Sequence, residues 1–104
     1  MKKINIGIVG SGFNGQIAFI ENFYKNKFCK ILGLAEARPN LRRKVAKRYN
    51  IPYLYNSHLG LVSDIKKFDG IAIITKRNMI GPLSMEFLKH GKPIITEKPM
   101  AGNY

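Results

Sequence analysis

The sequence predicts an α/β fold, a doubly wound parallel sheet of about five strands with helices on both faces, and three observations predict it. Short apolar runs alternate with segments of helical period along the whole chain. The first run, Ile4 to Val9, is nearly continuous, as in a strand buried on both faces of a parallel sheet. Between it and the first helix lies a glycine-rich turn, Gly10-Ser11-Gly12-Phe13-Asn14-Gly15. At 104 residues the chain is read as one domain, 1–104, with right-handed crossovers between its parallel strands.

Each element has its own signal. From Gln16 to Tyr24 the period lengthens, with Ile17, Ile20 and Tyr24 on one stripe and Phe23 beside it, which predicts the first helix. Cys29 to Ala35 is the second strand. Pro39 suits a first helical position, and Leu41, Val45, Ala46 and Tyr49 give the next helix its apolar face. Arg42, Arg43, Lys44, Lys47 and Arg48 fall on the opposite face, and Pro52 is expected to end the helix. Tyr53 to Tyr55 reads as a short strand, and Ser57 as the N-cap of a weaker helix through Val62. Asp69-Gly70 is a turn before the strand Ile71 to Thr75. A helix from about Ile80, with Leu83, Phe87 and Leu88 inward, closes at Gly91 and Pro93 before a last strand at Ile94 to Thr96.

Composition excludes several classes. The chain is 45% hydrophobic and 23% charged, which excludes disorder, and no stretch is long enough to span a bilayer. The apolar run after Lys2-Lys3 is too short and interrupted for a signal-peptide core. A single cysteine, Cys29, among apolar neighbours reads as a small core residue. Together these make the cytoplasm the default compartment. Charge is the unusual number: 18 Lys+Arg against 6 Asp+Glu give +12, which attracts anions without choosing among nucleotides, acidic substrates, nucleic acid and acidic partners. Nucleic acid is disfavoured, because no helix-turn-helix, metal site or stacking platform is evident.

The glycine turn narrows the choice. In a G-x-G-x-x-G between strand and helix, the first glycine makes the tight turn, the second lets a pyrophosphate approach the backbone, and the third allows close helix packing. Backbone N–H groups at the helix start then face the phosphates. Glu36 ends the second strand, where an acidic residue meets the adenosine ribose, followed by Ala37 and Arg38. A carboxylate suits the two hydroxyls of NAD and repels the 2′-phosphate of NADP, so NAD is preferred. Arg38, Arg42 and Arg43 keep an alternative open, since they could neutralise a 2′-phosphate if Glu36 turned away; Arg38 could also stack on adenine. Glu36 could instead cap the turn before Pro39.

The stretches INIGIVGSGFNGQ, LAEARPNLRRKVAKRYNI, FDGIAIIT and FLKHGKPIITEKPMA together resemble the N-terminal half of the Gfo/Idh/MocA family of nicotinamide-dependent oxidoreductases. The triplet Glu97-Lys98-Pro99 after the fifth strand is the most distinctive of these matches. The resemblance implies a Rossmann-type fold with Gly10, Ser11, Gly12, Phe13, Asn14 and Gly15 around the pyrophosphate, and Glu36, Ala37 and Arg38 at the adenosine ribose. It implies that Lys98 is catalytic, near the nicotinamide and substrate, and that Glu97 orients it or lines the cofactor cleft, both residues counting among those that bind the cofactor. Pro99 is associated in the family with a constrained, often cis, peptide bond. The implied reaction is hydride transfer to or from a carbon bearing a hydroxyl in a sugar, cyclitol or related polyol.

Two departures from the family pattern stand out. The common Thr-Pro after the fourth strand is here Thr75-Lys76, followed by Arg77. Thr75 and Lys76 are placed with the cofactor at the ligand-binding end of that strand, where Lys76 and Arg77 could meet an anionic substrate or the cofactor phosphates, or could be plain solvent charges. The family's second α/β domain is absent from these 104 residues, and His58, placed before a helix at the far edge, and His90, at a helix end, do not replace its acid/base residues. The expectation is therefore a cofactor-binding chain without turnover by itself, completed by a separate chain or left as a fragment. The alternative is a non-catalytic module that binds a nucleotide or docks on an acidic partner through the Arg42 to Arg48 face. An uncovered sheet edge also predicts dimerisation or aggregation.

Overall fold

The computed structural model describes residues 3–10, 17–74 and 77–96. Along the chain run β1 (Ile4–Val9), α1 (Ile17–Lys25), β2 (Cys29–Ala35), α2 (Pro39–Tyr49), β3 (Tyr53–Tyr55), α3 (His58–Ser63), a 3-10 turn at Ile65–Lys67, β4 (Gly70–Ile73), α4 (Arg77–Leu88) and β5 (Ile94–Thr96). The strands form one sheet in the order β3-β2-β1-β4-β5, every pair parallel. The chain moves outward from β1 through β2 to β3, then returns to the other side of β1 with β4. Strand order thus reverses between β1 and β4, and in such sheets the crevice for a ligand opens at the carboxyl ends of the strands there.

Apolar side chains cover both faces of the sheet. One face packs Ile6, Ile8, Ile31, Leu34, Ala72 and Ile74 with Ile20 of α1 and Val45, Ala46 and Tyr49 of α2. The other packs Val9, Ala35, Ile71 and Ile73 with Leu61, Phe68 and, from α4, Leu83 and Phe87. Continuous apolar strands and amphipathic helices follow from this two-sided burial. The β1–β2 register shifts between Ile6 and Gly7, since Ile6 faces Ile31 but Gly7 faces Gly33. The fully buried Phe68 ring sits against both glycines: a Cβ on Gly33 would lie 2.6 Å from its Cζ, and one on Gly7 would lie 3.1 Å from its Cδ1. The paired glycines make room for an aromatic ring that fills this half of the core.

The helix ends depart in places from the sequence pattern. α2 stops at Asn50, which adopts the left-handed conformation at φ 55°, and the Ile51 N–H donates to the Ala46 carbonyl at 3.0 Å. An Asn tolerates this conformation better than most residues, so the helix is closed before Pro52 acts. α4 begins at Arg77 instead of near Ile80, which makes Pro82 an interior residue. A start at Ile80 would have put the proline in the first turn, where its missing N–H is harmless; the observed helix gives up one internal hydrogen bond there. Gly91, at φ 73°, closes this helix as expected, its N–H donating to the Leu88 carbonyl at 2.9 Å. Leu88 and Tyr24, both expected inward, are about half exposed, Leu88 at 53% and Tyr24 at 46%. Tyr24 meets the Tyr49 ring edge-on at a centroid distance of 5.1 Å.

Candidate functional site

Backbone hydrogen bonds lace together the carboxyl ends of four strands. The Gly10 N–H donates to the Ala35 carbonyl at 2.8 Å, Ile74 to Val9 at 2.8 Å, and Glu36 to Tyr55 at 3.0 Å. Gly10 leaves β1 at φ 84°, a region in which a side chain is strained, so the tight turn requires glycine. Beyond these ends opens a cleft of about 510 Å³. Val9, Gly10, Glu36 and Arg38 line it together with Asn56 and His58. The size is within the usual range for small-molecule sites.

Glu36 is the one buried charged residue among those described, at 4% exposure. Its carboxylate is held by Arg38 through three hydrogen bonds. The Arg38 backbone N–H donates to Oε2 at 2.8 Å, Nε donates to the same oxygen at 2.9 Å, and Nη2 donates to Oε1 at 3.0 Å. These bonds, foremost, hold the Arg38 guanidinium above its ordinary pKa, against a smaller opposing effect of desolvation. Arg42 reaches back from the first turn of α2, and its Nη1 donates to the Glu36 carbonyl at 2.7 Å. Two guanidinium groups thus anchor one residue at the end of β2, one through the carboxylate and one through the main chain.

This arrangement changes the reading of the basic helix face. Of its five cations, Arg42 turns toward Glu36, and Arg48 donates to Glu21 Oε1 at 3.0 Å. The Tyr49 hydroxyl donates to the same oxygen at 2.8 Å. That bond, more than the Arg48 and Lys25 charges, holds the Glu21 carboxyl below its ordinary value. Arg43, Lys44 and Lys47 remain exposed.

Of the residues singled out in the sequence, Gly10, Glu36, Ala37 and Arg38 are brought to the cleft. Ser11, Gly12, Phe13, Asn14, Gly15, Thr75, Lys76, Glu97, Lys98 and Pro99 lie outside the described residues. The sequence reading missed Asn56, Ser57 and His58. β3 is an edge strand of the sheet, as expected for His58, and the turn after it carries His58 to the same cleft as Glu36. The signal available was the pairing of β3 beside β2, which sets the turn after β3 next to the end of β2. Ser57 occupies the N-cap position of α3, as expected, but its side chain makes no cap hydrogen bond. Among the described residues, no group of three or more His, Cys, Asp and Glu side chains could hold a metal ion, and no helix is long and apolar enough to cross a membrane.

A left-handed glycine at the end of β1 and a buried carboxylate at the end of β2, both on one cleft at the switch point, fit the adenosine half of a dinucleotide. Comparisons with known proteins agree in fold. The scyllo-inositol dehydrogenase of Lactobacillus casei matches with a TM-score of 0.80 and 24% identity, over 94% of this chain and 29% of that one. An Agrobacterium radiobacter oxidoreductase, solved with NAD+, L-tartaric acid and magnesium, matches with a TM-score of 0.85 and 22% identity, over 97% of this chain and 29% of that one. Biliverdin reductase from Synechocystis, solved with biliverdin and NADP+, matches with a TM-score of 0.79 and 23% identity, over 94% of this chain and 30% of that one. The chain therefore spans less than a third of the length of these proteins, and at such identities the likeness is one of fold. No curated protein matches the sequence. Residues 4–104, nearly the whole chain, match the family described as "Oxidoreductase family, NAD-binding Rossmann fold", and the chain belongs to this Gfo/Idh/MocA family.

Proposed function

We propose that the chain binds NAD in preference to NADP, as the cofactor-binding part of an oxidoreductase acting on a carbon that bears a hydroxyl in a sugar, cyclitol or related polyol. The observation that carries the cofactor preference is the Glu36 carboxylate, buried at the end of β2 and fixed by Arg38. A carboxylate here accepts hydrogen bonds from the ribose hydroxyls, whereas a 2′-phosphate in the same place meets a like charge. A switch to the phosphorylated cofactor would require Glu36 to turn away, and the Arg38 fork opposes that movement.

The bound nicotinamide supplies a carbon that accepts or donates hydride. This chain's residues position it. Gly10 lets the backbone turn away from the end of β1 without a side chain in the cleft. Glu36 fixes the ribose, and Gly12 and Gly15 of the motif would give the pyrophosphate access to backbone N–H groups. Lys98, by its place in the Glu97-Lys98-Pro99 triplet, would orient the substrate hydroxyl and stabilise negative charge developing on its oxygen, with Glu97 orienting the lysine and Lys76 near the ligand end of β4. The polyol class rests on the family resemblance and is supported by the scyllo-inositol dehydrogenase among the proteins of like fold. Biliverdin reductase shows the same fold serving another kind of substrate. Turnover would need a substrate-binding part supplied by more chain or by a partner.

A thermal-shift titration with NAD and NADP tests the cofactor reading. Saturation at a hundredfold excess over Kd stabilises the native state by about 2.7 kcal/mol, a rise of roughly 10 °C in a domain of this size. NAD should raise Tm more than NADP at equal concentration, and Glu36→Ala should remove the difference. An equal response to both cofactors in the unaltered protein, or a Glu36→Ala variant that still prefers NAD, refutes the preference.

A further inference from the structure

α1 is the helix that follows the glycine motif in the chain. Of its side chains from residue 20 onward, Ile20 alone is fully buried in the core, with Phe23 partly buried beside it. Apolar contact is non-directional, so such a footing fixes the distance of a helix from the sheet better than its rotation about its own axis. Glu21 supplies the direction. It lies about 100° round the helix from Ile20, and its Oε1 accepts from the Tyr49 hydroxyl at 2.8 Å and from Arg48 Nη2 at 3.0 Å. Lys25, one turn further along α1, approaches Oε2 at 3.8 Å. Tyr49 is 2% exposed, and its ring is met by Tyr24 on one side and by the Arg48 guanidinium 5.5 Å from its centroid, so its hydroxyl is held in place.

Both donors to Glu21 sit at the end of α2, 27 and 28 residues further along the chain. The start of α2 is tied elsewhere: Arg42 Nη1 donates to the Glu36 carbonyl at 2.7 Å. One helix thus connects the carboxylate at the end of β2 to the helix that leaves the glycine motif. Glu21 does not line the cleft with Glu36, and it touches no group that a ligand there would meet. We propose that Glu21 is a positioning residue for the dinucleotide: by clasping α1 to Arg48 and Tyr49 it sets the spacing between the pyrophosphate-binding start of that helix and the ribose-binding Glu36. The inference rests on the dinucleotide reading above and assigns that site a residue that acts from outside it.

Titration with NAD, ADP and adenosine, followed by protein NMR, tests it, because adenosine engages only the Glu36 side of the site whereas NAD and ADP also engage the pyrophosphate side. In Glu21→Ala, NAD and ADP should each bind roughly fivefold to tenfold more weakly, about the effect of losing one hydrogen bond, with adenosine unchanged. Glu21→Gln keeps an oxygen acceptor for the Tyr49 hydroxyl and should recover most of that loss. Tyr49→Phe keeps the buried ring, removes one of the two donors and should weaken NAD and ADP less than Glu21→Ala does; it carries the test if Glu21→Ala does not fold. Urea unfolding of the same proteins measures stability separately. Variants that lose stability yet bind NAD and ADP as the unaltered protein does overturn the inference, since the clasp is then structural only. Equal weakening of adenosine and ADP overturns it as well, because that reports general damage to the domain. Failure of the unaltered protein to bind NAD or ADP removes the dinucleotide reading and this inference together, and it is seen before any variant is made.

Discussion

Replacing Arg38 by alanine should destabilise the fold by more than an ordinary surface ion pair and less than a fully buried one. The Glu36 side chain is 3% exposed, while that of Arg38 is 56% exposed. The substitution removes the Nε and Nη2 bonds and keeps the backbone N–H bond to Oε2. Exposed pairs contribute up to about 1 kcal/mol, and breaking a buried pair costs about 3–5 kcal/mol because the remaining charge stays in a poor solvent. With the donor at the rim, water can reach part of the vacated space, so the expected loss is about 1–2 kcal/mol. For a small domain with a urea m-value of about 1 kcal/mol/M, the unfolding midpoint should fall by roughly 1 M or more.

A double-mutant cycle isolates the pair itself. Glu36→Gln, Arg38→Ala and the double variant should give a coupling of about 1 kcal/mol, measured by urea unfolding followed by circular dichroism. Arg38→Lys keeps the charge but cannot form the fork, and should restore less than half of the loss. A coupling below about 0.3 kcal/mol would refute the reasoning, because it would mean that the guanidinium does not hold the carboxylate in solution.

Two further outcomes follow from the core and its edge. Gly33→Ala should cost about 1–3 kcal/mol in chemical unfolding, since its Cβ would lie 2.6 Å from Cζ of the fully buried Phe68 ring; Phe68→Leu in the same chain should return part of that loss, and an unchanged midpoint for Gly33→Ala would contradict the packing described. Burial first, and then the hydrogen bond from its hydroxyl to Asp64 Oδ2 at 2.7 Å, push the Tyr55 pKa well above the ordinary 10. Its contribution is present in full below pH 10 and is lost as pH rises above it, at up to about 1.4 kcal/mol per pH unit, so Tyr55→Phe should flatten the alkaline limb of a stability–pH curve measured from pH 9 to 11.

What could be read from the sequence divides along a physical line. The inner strands were legible because burial on both faces writes itself as an apolar run: Ile4–Val9 and Cys29–Ala35 fall where the pattern puts them. The edge strand Tyr53–Tyr55, with Tyr53 and Leu54 exposed, was marked instead by β-forming residues directly after Pro52. Glu36 was legible because its place is fixed by distance along the chain from the glycine turn. The start of α4 was not, because Gly81-Pro82 carries the local preferences of a boundary while packing of Leu83 and Phe87 on the sheet holds the helix together across it. His58 was illegible for a different reason. Its neighbourhood is set by β3 pairing with β2 through the Gly33–Tyr53, Leu34–Leu54 and Ala35–Tyr55 register, a long-range relation that leaves no periodic mark near residue 58. A cleft at the switch point of a parallel sheet is assembled from the ends of several strands, so only its glycine and acidic members stand in a local motif. The turn after the next strand carries no such motif, and only the strand order places its Asn56 and His58 on the cleft that holds Glu36.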